Sequence, residues 1–576
     1  MKFLSKNRWC LVAFILLAAC GGNHSTPPEA VIAELNLERG SLISCGPSAK
    51  EFGVVDFGMT CSEKVKADFN TALELLHSFE YDESEKVFAK VIDAAPGCAM
   101  AYWGVAMCNF HPLWEPPTEA NLKKGAKAIE IANSISGKSA KEAGFITAAA
   151  AYYKNWEKTA PSARSIHFEK AMERLHQAYP DDKEAAIFYA LALDAAADPA
   201  DKSYINQRKA GGILTGLYAT GASHPGIIHY IIHTYDYPGL ANLGLQAARQ
   251  YAAVAPSSAH ALHMPSHIFT RLGLWDDCIQ SNLQSVAAAK CYAESAGLKG
   301  HWDEELHGLD YLVYAYLQKG DNKAAGEQLN YIRSITEVFP INFKEAYTFT
   351  ASPSRMALEN KKWQEAAALQ LYPANFPWGK FPWQEAIFHF ARLLGATNTG
   401  AVLAAKTELE ELNRLYDTLQ KQKDLYKSNQ VAIQIKTGEA WLSFMKGNKK
   451  EALRFMKTAS DMEDSTSKHP VTPGEVLPAR ELYADMLLRV NQNEFALREY
   501  EEVLRKSPGR FNSLYGAGTA AAACGNIEKA IYYFTQLRVT ASPDSKRPEL
   551  SVAGTFLKNH GITLSKGSGR PGKEDR

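Results

Sequence analysis

The stretch FNSLYGAGTAAAACGNIEKAIYYFTQL, Phe511 to Leu537, reads as two helical segments broken at Gly525. Leu514, Ala517, Gly518 and Ala521 recur at helical spacing before the break, and Ala530 and Phe534 do so after it. The preceding unit, Leu477 to Pro508, repeats the arrangement with Ala484, Ala496, Tyr500 and a closing Pro508. Small residues let the two helices of a hairpin approach closely. Proline ends the second helix because it has no N–H to donate and clashes with the preceding turn. A repeat of helix pairs implies a stack of hairpins in which each unit buries its apolar face against the next.

Those positions resemble the tetratricopeptide-repeat (TPR) consensus, and the fold class expected is all-α, a TPR-type helical-hairpin solenoid. The same register gives units beginning near Phe381, Tyr347, Leu306, Ala259 and Pro225. Another lies near Ile433, and an early one runs from Val65 to Pro96, marked by Tyr81, Ser84 and Phe88. Between Ala99 and Ala222 the chain stays helical and alanine-rich in an irregular register. The insertions EDSTSKHPVTPGEV and YPANFPWGKFPW separate some units. The solenoid is expected over residues 61–552, after a polar leader over 21–60 and before a flexible tail over 553–576.

The formal net charge of the 576 residues is zero and no Lys/Arg-rich stripe is visible, which argues against nucleic acid as a partner. Lys2, Lys6 and Arg8 precede the apolar run WCLVAFILLAA, the right length for a secretory signal and too short for a spanning helix. The run ends in LAAC, Leu17 to Cys20, followed by GGN. This resembles a bacterial lipobox, implying a signal peptide over residues 1–20, a lipid on Cys20, and an outer-membrane lipoprotein facing the periplasm. Nine cysteines form no metal or haem pattern beyond the leader. An oxidising compartment permits a disulfide. Cys45, Cys61, Cys98 and Cys108 are candidates, with Cys61 to Cys98 the pairing expected.

Half of the sixteen histidines fall between His224 and His307. In TPR proteins positions two, five, nine, twelve and thirteen of the first helix line the concave face, because those spacings share one side of a helix. In the unit from Ala259 these positions bring His260, His263 and His267. The unit from Pro225 brings His229, His233 and Asp236, and the unit from Leu306 brings His307, Asp310 and Tyr314. Two histidines four apart on one helix are spaced to share a metal ion. The expected metal set is His229, His233, His263 and His267, with Asp236, His307 and Asp310 as outer or additional ligands. A mononuclear site is favoured over two metals with three histidines each. The alternative is a patch of packed, hydrogen-bonded histidines without a ligand. Pro265 is expected to kink the helix between His263 and His267. An imidazole-rich, carboxylate-poor set suits zinc, copper or iron. HExxH is absent, which excludes a zinc-protease motif, and no pair of ExxH motifs is placed on matching helices, which argues against a ferritin-like di-iron centre. Further along, Glu385, His389, Arg392, Glu481 and Asp485 take the same inner positions and, with His260 and Tyr314, are expected to line a groove for a small polar ligand.

The motifs LLHSFEYDES, CAMAYWGVAM, HPLW, HPGIIHYIIH, HMPSHIFTRLGLW and HPVTPGEVLPARELYADMLL resemble a group of bacterial TPR proteins over most of the chain. That resemblance implies fold and not a reaction. It adds His77 and His111 as secondary site candidates, able to reach the patch only if the superhelix curls back. Two functions are carried forward. One is a groove-based transition-metal site, with catalysis on a small polar ligand as its extension. The other is a non-catalytic scaffold holding a peptide or protein segment, with glycan capture by a TPR lipoprotein as a further variant.

Overall fold

The computed structural model describes residues 25–48, 51–113 and 117–562. Helix follows helix from Lys66–His77 to Pro548–Asn559 in antiparallel hairpins, each packed against the next. The closing hairpin shows why. In Phe511–Ala523 a Cβ on Gly518 would lie 2.6 Å from the ring of Phe534 in Ile527–Thr540, and one on Gly516 would lie 2.3 Å from Tyr500. Only hydrogen at these positions lets the aromatic side chains seat at native packing density. The chain is an all-α, TPR-type helical-hairpin solenoid. The one sheet among the described residues is a two-residue parallel pairing, His301–Trp302 with Val338–Phe339.

Between Ala99 and Tyr218, where the register is irregular, there are three ordinary hairpins. Their short interhelical loops are capped by Thr118, Ser139 and Asp182. The solenoid is wound tightly enough for Lys66–His77 to pack against Pro225–Tyr235.

The leader is not a linker. Leu35, Phe52, Val55 and Phe57 are each at most 4% exposed. The extended segment around them crosses two hairpins, with Val54 N–H donating to Ser223 O and Ser257 N–H to Glu51 O. Val55 and Phe57 alternate with exposed Val54 and Asp56 in an extended run, which turns one edge inward, a local period-two pattern that a search for helical repeats passes over. Cys61 is bonded to Cys98, and Cys45 to Cys291, a partner outside the candidates considered; Cys108 is a free, buried thiol. Residues 553–559, assigned to the tail, continue the last helix. Residues 1–24, with the signal and Cys20, and 563–576 lie outside the described residues.

Candidate metal centre

His229 and His233 lie four apart on Pro225–Tyr235, a helix opened by a proline in its first turn, where the missing N–H costs nothing. Their Nε2 atoms are 3.0 Å apart. In the next unit Ser258 caps a short helix, Ala259–His263, and Pro265 opens another, Pro265–Leu272. The helix does break at the proline. Met264 keeps right-handed helical angles (φ −52°, ψ −37°), however, so the path continues and His263 Nε2 still meets His267 Nε2 at 3.1 Å. His307, on Asp303–Gln318, brings its ring to 4.2 Å from that of His263.

These side chains sort into two triads, His229/His233/His260 and His263/His267/His307. Within each, one ligating atom per residue lies within 4.8 Å of the others. The triads adjoin, with the rings of His233 and His267 6.2 Å apart and those of His260 and His263 6.4 Å apart. The His260 expected on the ligand-lining set therefore belongs with the candidate ligands. Asp310 does not: it is paired with Arg355 and accepts from Ser352, one helix turn beyond the cluster. Asp236 contacts His267 only at Nδ1, as a support behind the ring.

Hydrogen bonds behind three of the rings fix their tautomers. His229 Nδ1–H donates to His77 O at 2.6 Å. Asn282 spends its amide nitrogen on Cys278 O at 2.8 Å, which turns Oδ1 to accept from His263 Nδ1–H at 2.7 Å. His267 Nδ1–H donates to Asp236 Oδ2 at 3.1 Å. A neutral imidazole has a single N–H. His263 and His267 both commit theirs at Nδ1, so the Nε2 atoms 3.1 Å apart present lone pair to lone pair. Such a contact is satisfied by a cation shared between the rings.

The surroundings oppose a proton in that role. Burial pushes His229, His233, His263 and His307 well below the ordinary imidazole value, and neighbouring imidazoles push the same way. His267 is also lowered by burial, against the pull of Asp236. Asp236, although burial works to raise it, is held well below the carboxylate range by Lys468 and Arg271, which bind it at 2.9 and 2.8 Å. Glu304, 3.6 Å from His260 Nδ1, is likewise held down against burial by Lys344 at 2.5 Å. A small cavity adjoins both triads, lined by His233, His260, His267, His307, Met264 and Glu304. Its far wall is Pro470 and Val471 of the insertion after the Lys449–Asp464 helix. That insertion lies inside the concave face: Tyr311 O–H donates to Val471 O at 3.1 Å and Lys468 reaches Asp236.

The other expected groove residues are spent on neighbours. Tyr314 packs under Arg355 and against Trp275. Glu385, His389 and Arg392 form a separate network with Glu408 and Arg414. Glu481 binds Arg510, and Asp485 accepts from Tyr500 O–H and Lys361. His111 stacks on Tyr81, its value lowered by burial to about 4, and takes no part. His77 does: the superhelix curls back and its carbonyl orients His229. Its own ring joins a third cluster, with Nε2 3.0 Å from Glu184 Oε2, and His224 Nε2 2.7 Å from Glu184 Oε1. Asn282, Glu304, Tyr311 and Lys468 complete the surroundings without a sequence signal: they come from two helices, Trp275–Ser295 and Asp303–Gln318, and one loop, and none repeats.

No family model matches this sequence, and no curated protein matches it. Similar solved structures include the TPR domain of P58(IPK), at 13% identity over 71% of this chain and 98% of that one, with a TM-score of 0.20. A monomeric IFIT1 mutant with Gppp-AAAA is 12% identical over 89% of this chain and 100% of the other, with a TM-score of 0.32. Naa15/Naa10 bound to HypK-THB is 14% identical over 87% and 81%, with a TM-score of 0.23. Nothing about the chemistry of the histidines follows from likenesses this distant.

Proposed function

We propose that the chain is an envelope-tethered lipoprotein that holds a pair of transition-metal ions in its two histidine triads and uses them on a small molecule. The observation that carries this reading is the facing of two unprotonated Nε2 atoms, His263 and His267, in a buried site whose rings are locked from behind. Oriented imidazoles backed by a carboxylate, an amide and a carbonyl are what metal ligation needs. Two triads favour two metals over the mononuclear site expected from spacing. Three protein ligands leave a position open on each ion, the arrangement of catalytic and not of structural sites.

Charge favours copper among zinc, copper and iron. Imidazoles bind a metal as neutral ligands, and the two nearest carboxylates are already matched by Lys468, Arg271 and Lys344. Two divalent ions would leave four positive charges in a buried place, whereas two cuprous ions leave two, and imidazole suits copper. The tether rests on the LAAC segment and Cys20. The two disulfides, Cys45–Cys291 and Cys61–Cys98, fit an exported, oxidising location. A peptide-holding scaffold is the second reading; the insertion that occupies the concave face beside the histidines leaves it less support.

The test is elemental analysis of the full chain purified without a histidine tag, before and after incubation with copper, zinc and iron salts. Two equivalents of copper are expected, falling by about one in His229→Ala, by about one in His263→Ala, and to none in the double variant. Two equivalents of zinc would keep the site and overturn the copper assignment. No metal after all three incubations would overturn the site.

A further inference from the structure

A second cavity lies on the other side of the same insertion and belongs to none of the histidine chemistry. Its walls come from five repeat helices and the loop, and Tyr347, Trp383, Tyr426 and His469 supply rings. Trp383 is 5.5 Å from Tyr347 and 6.0 Å from Tyr426, at interplanar angles of 48° and 85°, so the rings form sides of a box and not a stack. His469 closes it, 5.5 Å from Trp383 and 5.7 Å from Tyr426. Burial, with Lys427 and Lys468 nearby, lowers His469 to about 3, so it serves as a neutral ring.

The polar lining holds two carboxylates against one ammonium, that of Lys468, and is incompletely used. Glu463 and Glu475 both line the cavity. Glu463 accepts from Ala479 N–H at 2.8 Å and is pushed upward by burial and by the charge of Glu475. Arg271 and Lys468 act on Glu475 through charge, but both hydrogen-bond to Asp236, and Lys468 also to the carbonyls of His469 and Pro470. Thr437, only 1% exposed, has a hydroxyl without a partner among the described residues, and so does the carbonyl oxygen of Gln434. Buried polar atoms are ordinarily paired, and two orphans lining one cavity mark a missing occupant.

We propose that this cavity is a binding site for a small organic ammonium ion carrying a hydrogen-bond donor. Aromatic faces carry the negative side of the ring quadrupole and attract a cation laid over them. Glu475 supplies the counter-charge, and a bound cation eases the repulsion that pushes Glu463 upward. The donor of the ligand meets Gln434 Oε1 and Thr437 Oγ1. A neutral apolar molecule would leave all four groups unsatisfied, and an anion would meet two carboxylates.

The experiment is calorimetric titration of the metal-free full chain with choline, with ethanolamine, and with 3,3-dimethylbutan-1-ol, the uncharged isostere of choline. Metal-free protein separates this proposal from the metal reading, since neither result bears on the other. Saturable binding of choline or ethanolamine with quenching of tryptophan fluorescence is expected, with the isostere at least about tenfold weaker. Glu475→Gln is expected to weaken the ammonium ligand about tenfold and leave the isostere unchanged, and Trp383→Leu to abolish the fluorescence change. Binding of neither ammonium ion, or equal binding of choline and its isostere, overturns the proposal on the unmodified chain, whatever the folding of the variants.

Discussion

Asn282 supports the second triad from the outer helix Trp275–Ser295, and its two amide ends are not interchangeable. Nδ2 is committed to Cys278 O, so Oδ1 faces His263 Nδ1 and forces the proton to that side of the ring. Asn282→Ala removes the acceptor, frees the ring to rotate and lets the proton move to Nε2, where it blocks a ligand position. Outer-shell changes of this kind typically cost 10–100-fold in metal affinity. A loss on the order of tenfold or more at one of two sites is therefore expected in a chelator competition, with the circular dichroism unchanged; an affinity equal to wild type would remove the orienting role. The histidines themselves were readable in the sequence because spacing of four on a helix is a periodic signal. Asn282, Glu304 and Lys468 were not, since what makes them important is the distant segment each happens to face.

Two short helical segments, Pro225–Tyr235 and the proline-broken Ala259–Leu272, carry most of the cluster, and their burial predicts a pH response of the metal-free chain. His229, His233, His263 and His307 have folded-state values far below those of an unfolded chain, near 6.5. Below that pH the unfolded state takes up protons that the folded state refuses, so stability is full above about 6.5 and falls as pH drops. The slope is on the order of 1.4 kcal/mol per pH unit for each histidine that stays neutral. Urea denaturation of metal-free protein at pH 7.5 and pH 5.5 is expected to give a lower midpoint at pH 5.5, and quadruple replacement of these histidines by glutamine to flatten the difference. A midpoint independent of pH would mean that the rings are accessible to protons in the folded state. The insertion at 463–476 shows the opposite limit of sequence reading. Its Pro and Gly content marks it as a loop, and nothing in that composition tells that it turns inward to wall two cavities.

At the scale of the molecule, a solenoid whose repeats touch only their neighbours would tolerate loss of its last units. This one is tied across its turns. Trp275 Nε1–H donates to Gly509 O at 3.0 Å, Phe511 N–H to Gln318 Oε1 at 3.1 Å, and Ser542 N–H to Lys319 O at 2.8 Å. Arg510, wholly buried, bridges Glu359 and Glu481 at 2.7 Å each. Helical periodicity reveals the hairpins, but superhelical pitch depends on small rotations between units, so contacts between residues some hundreds apart carry no local mark. Removing the chain after Lys506 strips Arg510 from Glu359 and Glu481, two carboxylates that are buried in the intact protein. Taking away one partner of a buried ion pair costs about 3–5 kcal/mol, because the other charge is left uncompensated. The truncated protein is expected to lose hydrogen-exchange protection in Asp303–Gln318 and Phe343–Glu359, far from the cut, and to regain part of it when Glu359→Gln and Glu481→Gln remove the orphaned charges. Full protection in the simple truncation would restore the neighbour-only picture.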